Sequence, residues 1–343
     1  MKLWNPTCKI AALCSVGAAV FVLHPNRMFA QSPGVPIERD EILTDDAQLV
    51  AKAAALKDSG KLLSGKQITA ALKSPEPAPL VLPPPSVERL EPRALAERGR
   101  KALVRIGWFY LEKHSKEWHV NLADGYAVSA DGAVATCQHC VAPEEQEMRE
   151  GYLIASDASG NVFPVTAVLA QDKEMDAAIV RVEGGNFTPL ALNDQTAPGD
   201  TVYVFSDPMS AVGYFTSGIL NRFFWLDGRK SMDAAAIEGA RNLRIHVSAD
   251  WAPGSSGAAV LDVCGNAVGH VSVIDPLVSD DPPSLEDKPG KQGKKSKKKS
   301  PPPTDHGTLI ILHEAVSARS VRMLAESMNG ALPPATNGNQ PGS

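Results

Sequence analysis

Cysteine is scarce in this chain, which has five in 343 residues. Three of them, Cys137, Cys140 and Cys264, lie beyond the N-terminal segment considered next. In an oxidising compartment an odd number leaves at least one thiol unpaired or paired between chains. Cys137 and Cys140 form a C-x-x-C spacing, but the surrounding strand pattern is not that of a thioredoxin-type redox protein. No histidine follows Cys140, which excludes a c-type haem attachment site.

The apolar run near the N-terminus is short. It covers residues 10–23 and so has 14 residues, whereas a membrane-spanning helix needs about 20. Lysines precede it, and Met28-Phe29-Ala30 offers a cleavage site. We therefore expect residues 1–30 to be a signal peptide and the mature protein to be periplasmic or secreted, without stable membrane insertion. The alternative is an uncleaved N-terminal membrane anchor.

Positive charge is not in excess. The chain has 34 Lys and Arg against 39 Asp and Glu, a net charge of −5, which argues against a general nucleic-acid binder. Lysines cluster within residues 276–306, a stretch with almost no apolar side chains. Such a stretch cannot bury enough surface to order itself, so we expect a disordered insertion rather than a phosphate- or membrane-binding patch. No cofactor motif is present, and we predict neither an organic cofactor nor a metal.

The rest of the chain divides by composition. Residues 31–87 read as two short helices, the second with a Ser64–Gln67 capping box, followed by a proline-rich extended linker. We expect this segment to be a spacer, with protein docking as the alternative. Residues 88–328 hold the folded domain, and residues 329–343 are a flexible tail.

Short apolar runs separated by turn signals fill the folded domain. They recur every 8 to 15 residues from Leu103 onward, which is typical of an antiparallel all-β barrel or sandwich. A last strand is expected at Thr308–Leu312, and a C-terminal helix over residues 315–328.

The stretch Pro253-Gly254-Ser255-Ser256-Gly257 joins two of these apolar runs. A serine on a glycine turn between strands suits acyl transfer, because the N–H groups of Gly254 and Ser256 can converge on an oxyanion. Alone this signal is weak, since Gly/Ser turns are common.

Two further stretches place a base and an acid at strand edges. Residues 125–141 predict a hairpin whose second strand ends before His139, and Asp176 immediately precedes the apolar strand at 177–182. A serine hydroxyl needs a base, and an imidazole base needs an anion to orient it. The order His139, Asp176, Ser256 supplies all three parts.

The chain here resembles the trypsin-like serine peptidases, most closely their bacterial HtrA/Deg branch, without a PDZ-like region. The motifs that carry the resemblance are GYAVSADGAVATCQHCV, DAAIVRV, PGSSGAAV and GNAVGHVSV, within residues 100–328. It implies two six-stranded antiparallel β-barrels with the active site between them. It also implies His139 as general base, Asp176 as its orienting anion, and Ser256 as nucleophile, with Gly254 and Ser256 forming the oxyanion hole. The chain departs from the family at Ala258 and Ala259, where Gly and Pro are usual.

A peptide or protein substrate follows from the resemblance. We expect it to pair in extended form with an edge strand at His270, Val271 and Ser272. Asp250 lies six residues before Ser256, where trypsin-like enzymes place the base of their primary pocket, and would favour Lys or Arg there. Trp251 could fill that pocket instead.

Three other interpretations stay open at this level. A zinc site made by the two cysteines and His139 would disable the base. The domain could also be a catalytically silent trypsin-fold module that binds peptides. Finally, the protein could be an envelope docking protein that uses its N-terminal helices. Deletion of residues 31–87 would separate this interpretation from the peptidase, whose hydrolysis of peptides should survive the deletion. The oligomeric state is not readable from the sequence.

Overall fold

A computed structural model describes residues 46–143, 148–226, 242–278 and 308–329. The predicted signal peptide, the lysine cluster and the tail beyond Asn329 lie outside these ranges.

The N-terminal half of the domain is a curled antiparallel sheet. Its strands are β1 Arg105–Glu112, β2 Trp118–Ala123, β3 Tyr126–Ala127, β4 Ala133–Thr136, β5 Met148–Ser156, β6 Val162–Asp172 and β7 Ala177–Val182. Their order is β2-β1-β5-β6-β7-β4-β3. The sheet curls back on itself, because Leu103 bridges to Tyr126 and the N–H of Val104 donates to the carbonyl of Gly125 at 3.0 Å. All four residues of β4 are buried, which places the hairpin before His139 in the core.

The C-terminal half is a closed six-stranded barrel. Its strands are β8 Thr201–Ser206, β9 Tyr214–Trp225, β10 Leu243–Val247, β11 Ala259–Leu261, β12 Ala267–Val278 and β13 Thr308–Ser317, in the order β10-β13-β12-β11-β8-β9. Val204, Ile245, Val260 and Val271 pack together inside it. Closure pairs every strand of the barrel on both sides and so removes exposed sheet edges over most of its circumference.

The predicted fold class is therefore confirmed, with two differences of detail. The N-terminal sheet has seven strands rather than six, and it meets its own end through an isolated bridge rather than a full ladder. Residues 276–278, predicted to begin the disordered insertion, are strand, because Pro276 and Leu277 pair with β13.

Five α-helices accompany the sheets within the described residues. They are α1 Asp46–Asp58, α2 Gly65–Lys73, α3 Pro92–Ala102, the single turn α4 Gln138–Val141, and α5 Ala318–Met328. In the part of the chain that the structure describes, no helix combines the length and apolarity needed to cross a membrane. The predicted capping box is present: Ser64 Oγ accepts from the N–H of Gln67, and Gln67 Oε1 accepts from the N–H of Ser64.

The helical segment packs on the N-terminal sheet. Ile68 of α2 is fully buried in the same core cluster as Leu153, and Ala53 of α1 is fully buried beside Ile154. Deleting residues 31–87 would uncover this core, so such a deletion would test folding as well as docking.

The proline-rich linker is anchored by two asparagine side chains. The amide of Asn329 accepts from the N–H of Leu80 at 3.0 Å and donates to its carbonyl at 3.2 Å. The amide of Asn266 does the same for Ser86, at 2.7 and 2.9 Å. An extended segment has no internal hydrogen bonds, so these amides satisfy its backbone groups where it crosses the domain.

Candidate active site

His139 lies on the single helical turn α4 that follows β4. Cys137 caps this turn with extended backbone angles, so the chain leaves the buried hairpin and turns sharply at the histidine. The side chain of His139 is 51% exposed. His139 was predicted at a strand end, whereas in the structure it lies on the first turn after the strand, on the surface of a cleft.

Asp176 contacts His139 through both carboxylate oxygens. Each oxygen lies 3.0 Å from Nδ1 of the imidazole, and Oδ1 also accepts from the backbone N–H of His139 at 3.1 Å. Asp176 has a φ of +54°, a left-handed conformation that is uncommon outside glycine. That conformation lies at the entry to β7, where it aims the carboxylate at α4. The structure thus brings the predicted base and its orienting acid together.

A second hydrogen bond holds the carboxylate from the other barrel. Ser272 Oγ donates to Oδ2 of Asp176 at 2.6 Å. The ladder between β12 and β13 shifts register between Val271 and Val273, and this bulge turns Ser272 toward Asp176. The acid is therefore fixed by groups from both halves of the domain.

These contacts shift the pKa values of both partners. Burial raises the pKa of Asp176, but the hydrogen bonds from His139 and Ser272 outweigh it and hold the pKa well below its usual range. Burial lowers the pKa of His139, but the hydrogen bond with Asp176 and the neighbouring Cys140 outweigh it and raise the pKa to about 10. An imidazolium–carboxylate pair is the favoured form of the resting site at neutral pH.

Ser256 lies on a turn closed by glycines. Gly254 and Gly257 have φ values of +103° and +90°, a region that residues with a Cβ rarely adopt. The carbonyl of Ser256 accepts from the N–H of Asp124 at 2.9 Å, which ties the turn to the loop between β2 and β3. Ser256 and His139 both line a cavity of about 400 Å³. The third predicted residue thus lines the same cavity as His139.

The cavity has a mixed lining. Its apolar and aromatic wall comes mainly from β1 and β2, and its lining also includes His139 and Ser256. The lining residues are Ile106, Gly107, Trp108, Tyr110, Asn121, Leu122, Ala123, His139, Cys140, Ala142, Met148, Pro253, Gly254 and Ser256. A cleft of this kind suits a peptide that presents apolar side chains beside a reacting carbonyl.

The peptide bond between Pro253 and Gly254 has a fixed orientation. The carbonyl of Pro253 accepts from the N–H of Met209 at 2.6 Å. Because the carbonyl and N–H of a trans peptide point in opposite directions, the N–H of Gly254 points away from Met209. Met209 itself has a φ of +50°, on a short 3-10 turn at Pro208–Ser210.

A buried ion pair supports this 3-10 turn. Nε of Arg105 lies 2.7 Å from Oδ2 of Asp207, with the two side chains only 11% and 5% exposed. The N–H of Asp207 donates to Oδ2 of Asp124 at 2.9 Å, and Asp207 Oδ1 accepts from the N–H of Gly213. Burial, together with the nearby carboxylate of Asp207, raises the pKa of Asp124 well above its usual value.

The predicted substrate-pairing edge needs correction. His270 pairs with Ala259 on one side and Val316 on the other, and the N–H and carbonyl of Val271 bond to the turn at Ala258 and Gly257. Both residues are buried, at 0% and 1% exposure. Their backbones are already used, so neither can pair with a substrate.

Beyond His270, β12 no longer pairs with β11. The β11–β12 pairing ends at His270, whereas β12 continues along β13 to Val278. An extended substrate would therefore pair from Ser272 onward. His270 instead contacts the backbone of Asp176, with Nε2 3.3 Å from the carbonyl oxygen. Burial lowers the pKa of His270 to about 4.

Asp250 and Trp251 have opposite surroundings. Asp250 is exposed, and its backbone carbonyl accepts from Thr216 Oγ1 at 3.0 Å. Trp251 is buried, with its ring 4.9 Å from that of His313 and Nε1 3.4 Å from the carbonyl of Val273. The indole thus packs against β12 and β13.

Several residues of the site are absent from the sequence-based prediction. Asp124, Asp207 and Met209 were not predicted as site residues, and Ser272 was expected to contact substrate rather than Asp176. Only the Asp124-Gly125 dipeptide gave a local signal, and that signal is one for a turn. Their roles depend on contacts between the two halves of the domain.

Comparisons with known proteins found one family model and similar solved structures. The family model of the trypsin-like peptidase domain matches residues 123–269. Among solved structures, the chain is similar to an HtrA-type protease AlgW with decapeptide, with 16% sequence identity, a TM-score of 0.48, and coverage of 70% of this chain and 68% of that chain. No curated protein matches the chain. The resemblance to the trypsin-like serine peptidases is confirmed over the matched residues, which include His139, Asp176 and Ser256.

Proposed function

We propose that this protein is an exported serine endopeptidase that hydrolyses peptide bonds through an acyl-enzyme intermediate. The observation that carries the proposal is the contact of Asp176 with Nδ1 of His139, at 3.0 Å from both carboxylate oxygens, at the edge of the cavity that also contains Ser256. An acid that fixes one imidazole nitrogen leaves the other available to a hydroxyl.

The chemistry assigns one role to each residue. Ser256 Oγ attacks the substrate carbonyl while Nε2 of His139 takes the hydroxyl proton. His139 then donates that proton to the leaving amine, which breaks the C–N bond and leaves an acyl ester on Ser256. Water, activated by the same nitrogen, hydrolyses the ester. Asp176 stabilises the imidazolium that forms in both steps.

The backbone around Ser256 supports an oxyanion hole. The N–H of Gly254 is turned away from Met209 by the bond to the carbonyl of Pro253. Together with the N–H of Ser256 it would bind the developing negative charge, which is worth about 3–4 kcal/mol for one such donor. The bond from Met209 holds this peptide in place before substrate arrives, so little reorganisation is needed during the reaction.

Substrate selection follows from the surroundings of Trp251. Because the indole is buried against β12 and β13, we propose that the residue before the scissile bond is small and apolar rather than basic. The exposed carboxylate of Asp250 is screened by water and supplies little selectivity for Lys or Arg. Export rests on the signal-like segment at residues 1–30, with an N-terminal anchor as the alternative.

One observation favours a second candidate, a silent peptide-binding module. The hydrogen bond with Asp176 and the neighbouring Cys140 raise the pKa of His139 to about 10, which favours the protonated imidazole, and a protonated imidazole is not a base. A protein in which His139 stays protonated would hold peptides in the cleft without cutting them.

Labelling with a fluorophosphonate probe separates the two candidates. The full chain is compared with Ser256→Ala and with Ser159→Ala, an exposed serine far from the cleft in sequence. We expect the parent and Ser159→Ala to be labelled, Ser256→Ala to be unlabelled, and the modified peptide to carry the probe on Ser256 rather than on the buried Ser255.

Two results would contradict the peptidase. One is the absence of labelling between pH 7 and 10 in protein shown to be folded by circular dichroism, with its thiols reduced. The other is labelling that persists in Ser256→Ala. Digestion of a peptide library by the parent then tests the proposed preference for a small apolar residue before the scissile bond. Cleavage mainly after Lys or Arg would overturn the inference drawn from Trp251.

A further inference from the structure

Three metal-ligating side chains meet on the single turn α4. One ligand atom from each of Cys137, His139 and Cys140 lies within 4.8 Å of the other two. Cys137 occupies the N-cap and the other two follow on the same turn, so the backbone alone brings them together. Within the described ranges no other group of three such side chains meets this condition.

We propose that Cys137, His139 and Cys140 form a binding site for a thiophilic divalent cation, Zn²⁺ above all, whose occupancy removes His139 from catalysis. The inhibitory part of this inference rests on the proposed peptidase function, whereas the binding part does not.

The donor set fits zinc. Two thiolates and one imidazole are the ligands of a Cys₂His site, which leaves a fourth position for water. With Zn–S distances of about 2.3 Å and Zn–N distances of about 2.0 Å, ligand atoms around a tetrahedral ion lie roughly 3.3–3.8 Å apart. The observed upper limit of 4.8 Å is therefore closed by side-chain movements of about 1 Å, without rearrangement of α4.

Both sulfurs are available as ligands. Neither cysteine forms a disulfide. Cys137 Sγ donates to the carbonyl of Val271 at 3.1 Å, and Cys140 Sγ donates to the carbonyl of Ser256 at 3.8 Å. Binding of one Zn²⁺ breaks these two weak bonds, forms two Zn–S bonds and one Zn–N bond, and releases to solvent the protons that the two thiols and the imidazolium of His139 carry.

A carboxylate beside the turn favours a cation, because the negative charge of Asp176 acts on Cys137. Asp176 also orients His139, as a carboxylate commonly does for a metal-bound histidine.

Occupancy disables the base through either ring nitrogen. Coordination by Nε2 blocks the lone pair that would accept the proton of Ser256. Coordination by Nδ1 displaces the hydrogen bonds to Asp176 and misorients the ring. The turn α4 would thus act as a reversible switch within the catalytic cleft.

Cobalt binding tests the site without any need for activity. Full-length Ser256→Ala protein is reduced, freed of reductant and metal, and titrated with Co²⁺. We expect a thiolate-to-cobalt charge-transfer band and the visible bands of tetrahedral Co²⁺, which saturate at one equivalent and vanish on addition of one equivalent of Zn²⁺. The bands should be lost in Cys137→Ser and in Cys140→Ser. They should persist in Cys264→Ser, because Cys264 is a free thiol outside the cluster.

Two outcomes overturn the site. The first is folded, fully reduced protein with no charge-transfer band at several equivalents of Co²⁺. The second is a band that survives in Cys137→Ser and Cys140→Ser but disappears in Cys264→Ser.

Inhibition is tested separately on the catalytically intact chain. We expect micromolar Zn²⁺ to lower its peptidase rate at least tenfold and a chelator to restore the rate. The Cys137→Ser variant should keep its own metal-free rate when the same amount of zinc is added. Cobalt binding without zinc inhibition would overturn the switch but keep the site. If the parent lacks peptidase activity, the proposed function fails while the cobalt titration still decides the site.

Discussion

Ser272 donates a hydrogen bond of 2.6 Å to Asp176 from the opposite barrel. Asp176 orients His139, and a bulge in β12 brings Ser272 to its second oxygen. The acid of the proposed triad is therefore held jointly by the two halves of the domain. A movement of the C-terminal barrel would displace Asp176 and so change the orientation of the His139 ring.

Ser272→Ala should weaken catalysis without abolishing it. A hydrogen bond to a charged group contributes about 1.5–3 kcal/mol, which corresponds to a loss of roughly ten- to a hundredfold in kcat/KM. The measurement is steady-state kinetics on a peptide substrate, with Ser159→Ala as the exposed control. A Ser272→Ala enzyme with parental kcat/KM would show that the bond does not position Asp176.

Gly254→Ala should lower kcat, whereas Gly60→Ala should not. Both glycines have positive φ, so each substitution strains the backbone by about 1–2 kcal/mol. Only at Gly254 does the added Cβ meet a backbone atom, the carbonyl oxygen of Asp207 at 2.8 Å, whereas Gly60 has open space.

Displacement of this peptide moves its N–H from the oxyanion position, at a cost of roughly 10²- to 10³-fold in kcat. Thermal unfolding measures the loss of stability that backbone strain causes in both variants. Steady-state kinetics then measures the loss of kcat that is specific to Gly254→Ala. Equal kinetics for both variants would argue against an oxyanion role for Gly254.

The activity should rise with pH through the neutral range. His139 must be unprotonated to act as a base, and its pKa is raised to about 10 by Asp176 and Cys140 against the lowering effect of burial. The fraction of free base therefore increases up to about pH 10. Cys140→Ala removes one of the groups that raise this pKa, so the acid limb of the kcat/KM profile should move to lower pH.

Cys264→Ala provides the matched thiol control, because this residue lies outside the cluster around His139. Its profile should coincide with that of the parent. A Cys140→Ala profile that stays in place, or moves to higher pH, would contradict the coupling between Cys140 and His139.

Loss of the buried ion pair should destabilise the fold strongly. Arg105→Met leaves Asp207 without its cationic partner at 5% exposure, and an uncompensated buried charge costs about 3–5 kcal/mol. The control is Arg181→Met, which breaks a pair with Asp131, whose side chain is 59% exposed, and should cost about 0–1 kcal/mol. Urea unfolding measures the free energy of unfolding of both variants. Equal losses of this free energy would show that burial does not increase the contribution of the ion pair.

Local signals in the sequence predicted the main elements of the site. The hairpin before His139, the acid at the head of β7 and the glycine turn at Ser256 each depend on fewer than 20 consecutive residues, so periodicity and turn chemistry suffice to find them. The Ser64–Gln67 capping box is equally local and was also confirmed.

The remaining features depend on contacts between distant residues. Ser272 and Asp176 are 96 positions apart, and Cys137 and Val271 are 134 apart. A shift of one residue in the register of β12 would turn Ser272 to the opposite face of the strand, so composition alone cannot place it.

The sequence by itself determined the all-β class and the identity and order of the three proposed catalytic residues, because both are encoded in short patterns. Only the tertiary structure decided which side of β12 is open and that Trp251 rather than Asp250 lies inside. The physical reason is that burial and pairing are set by how the two barrels pack together, and no single segment carries that information.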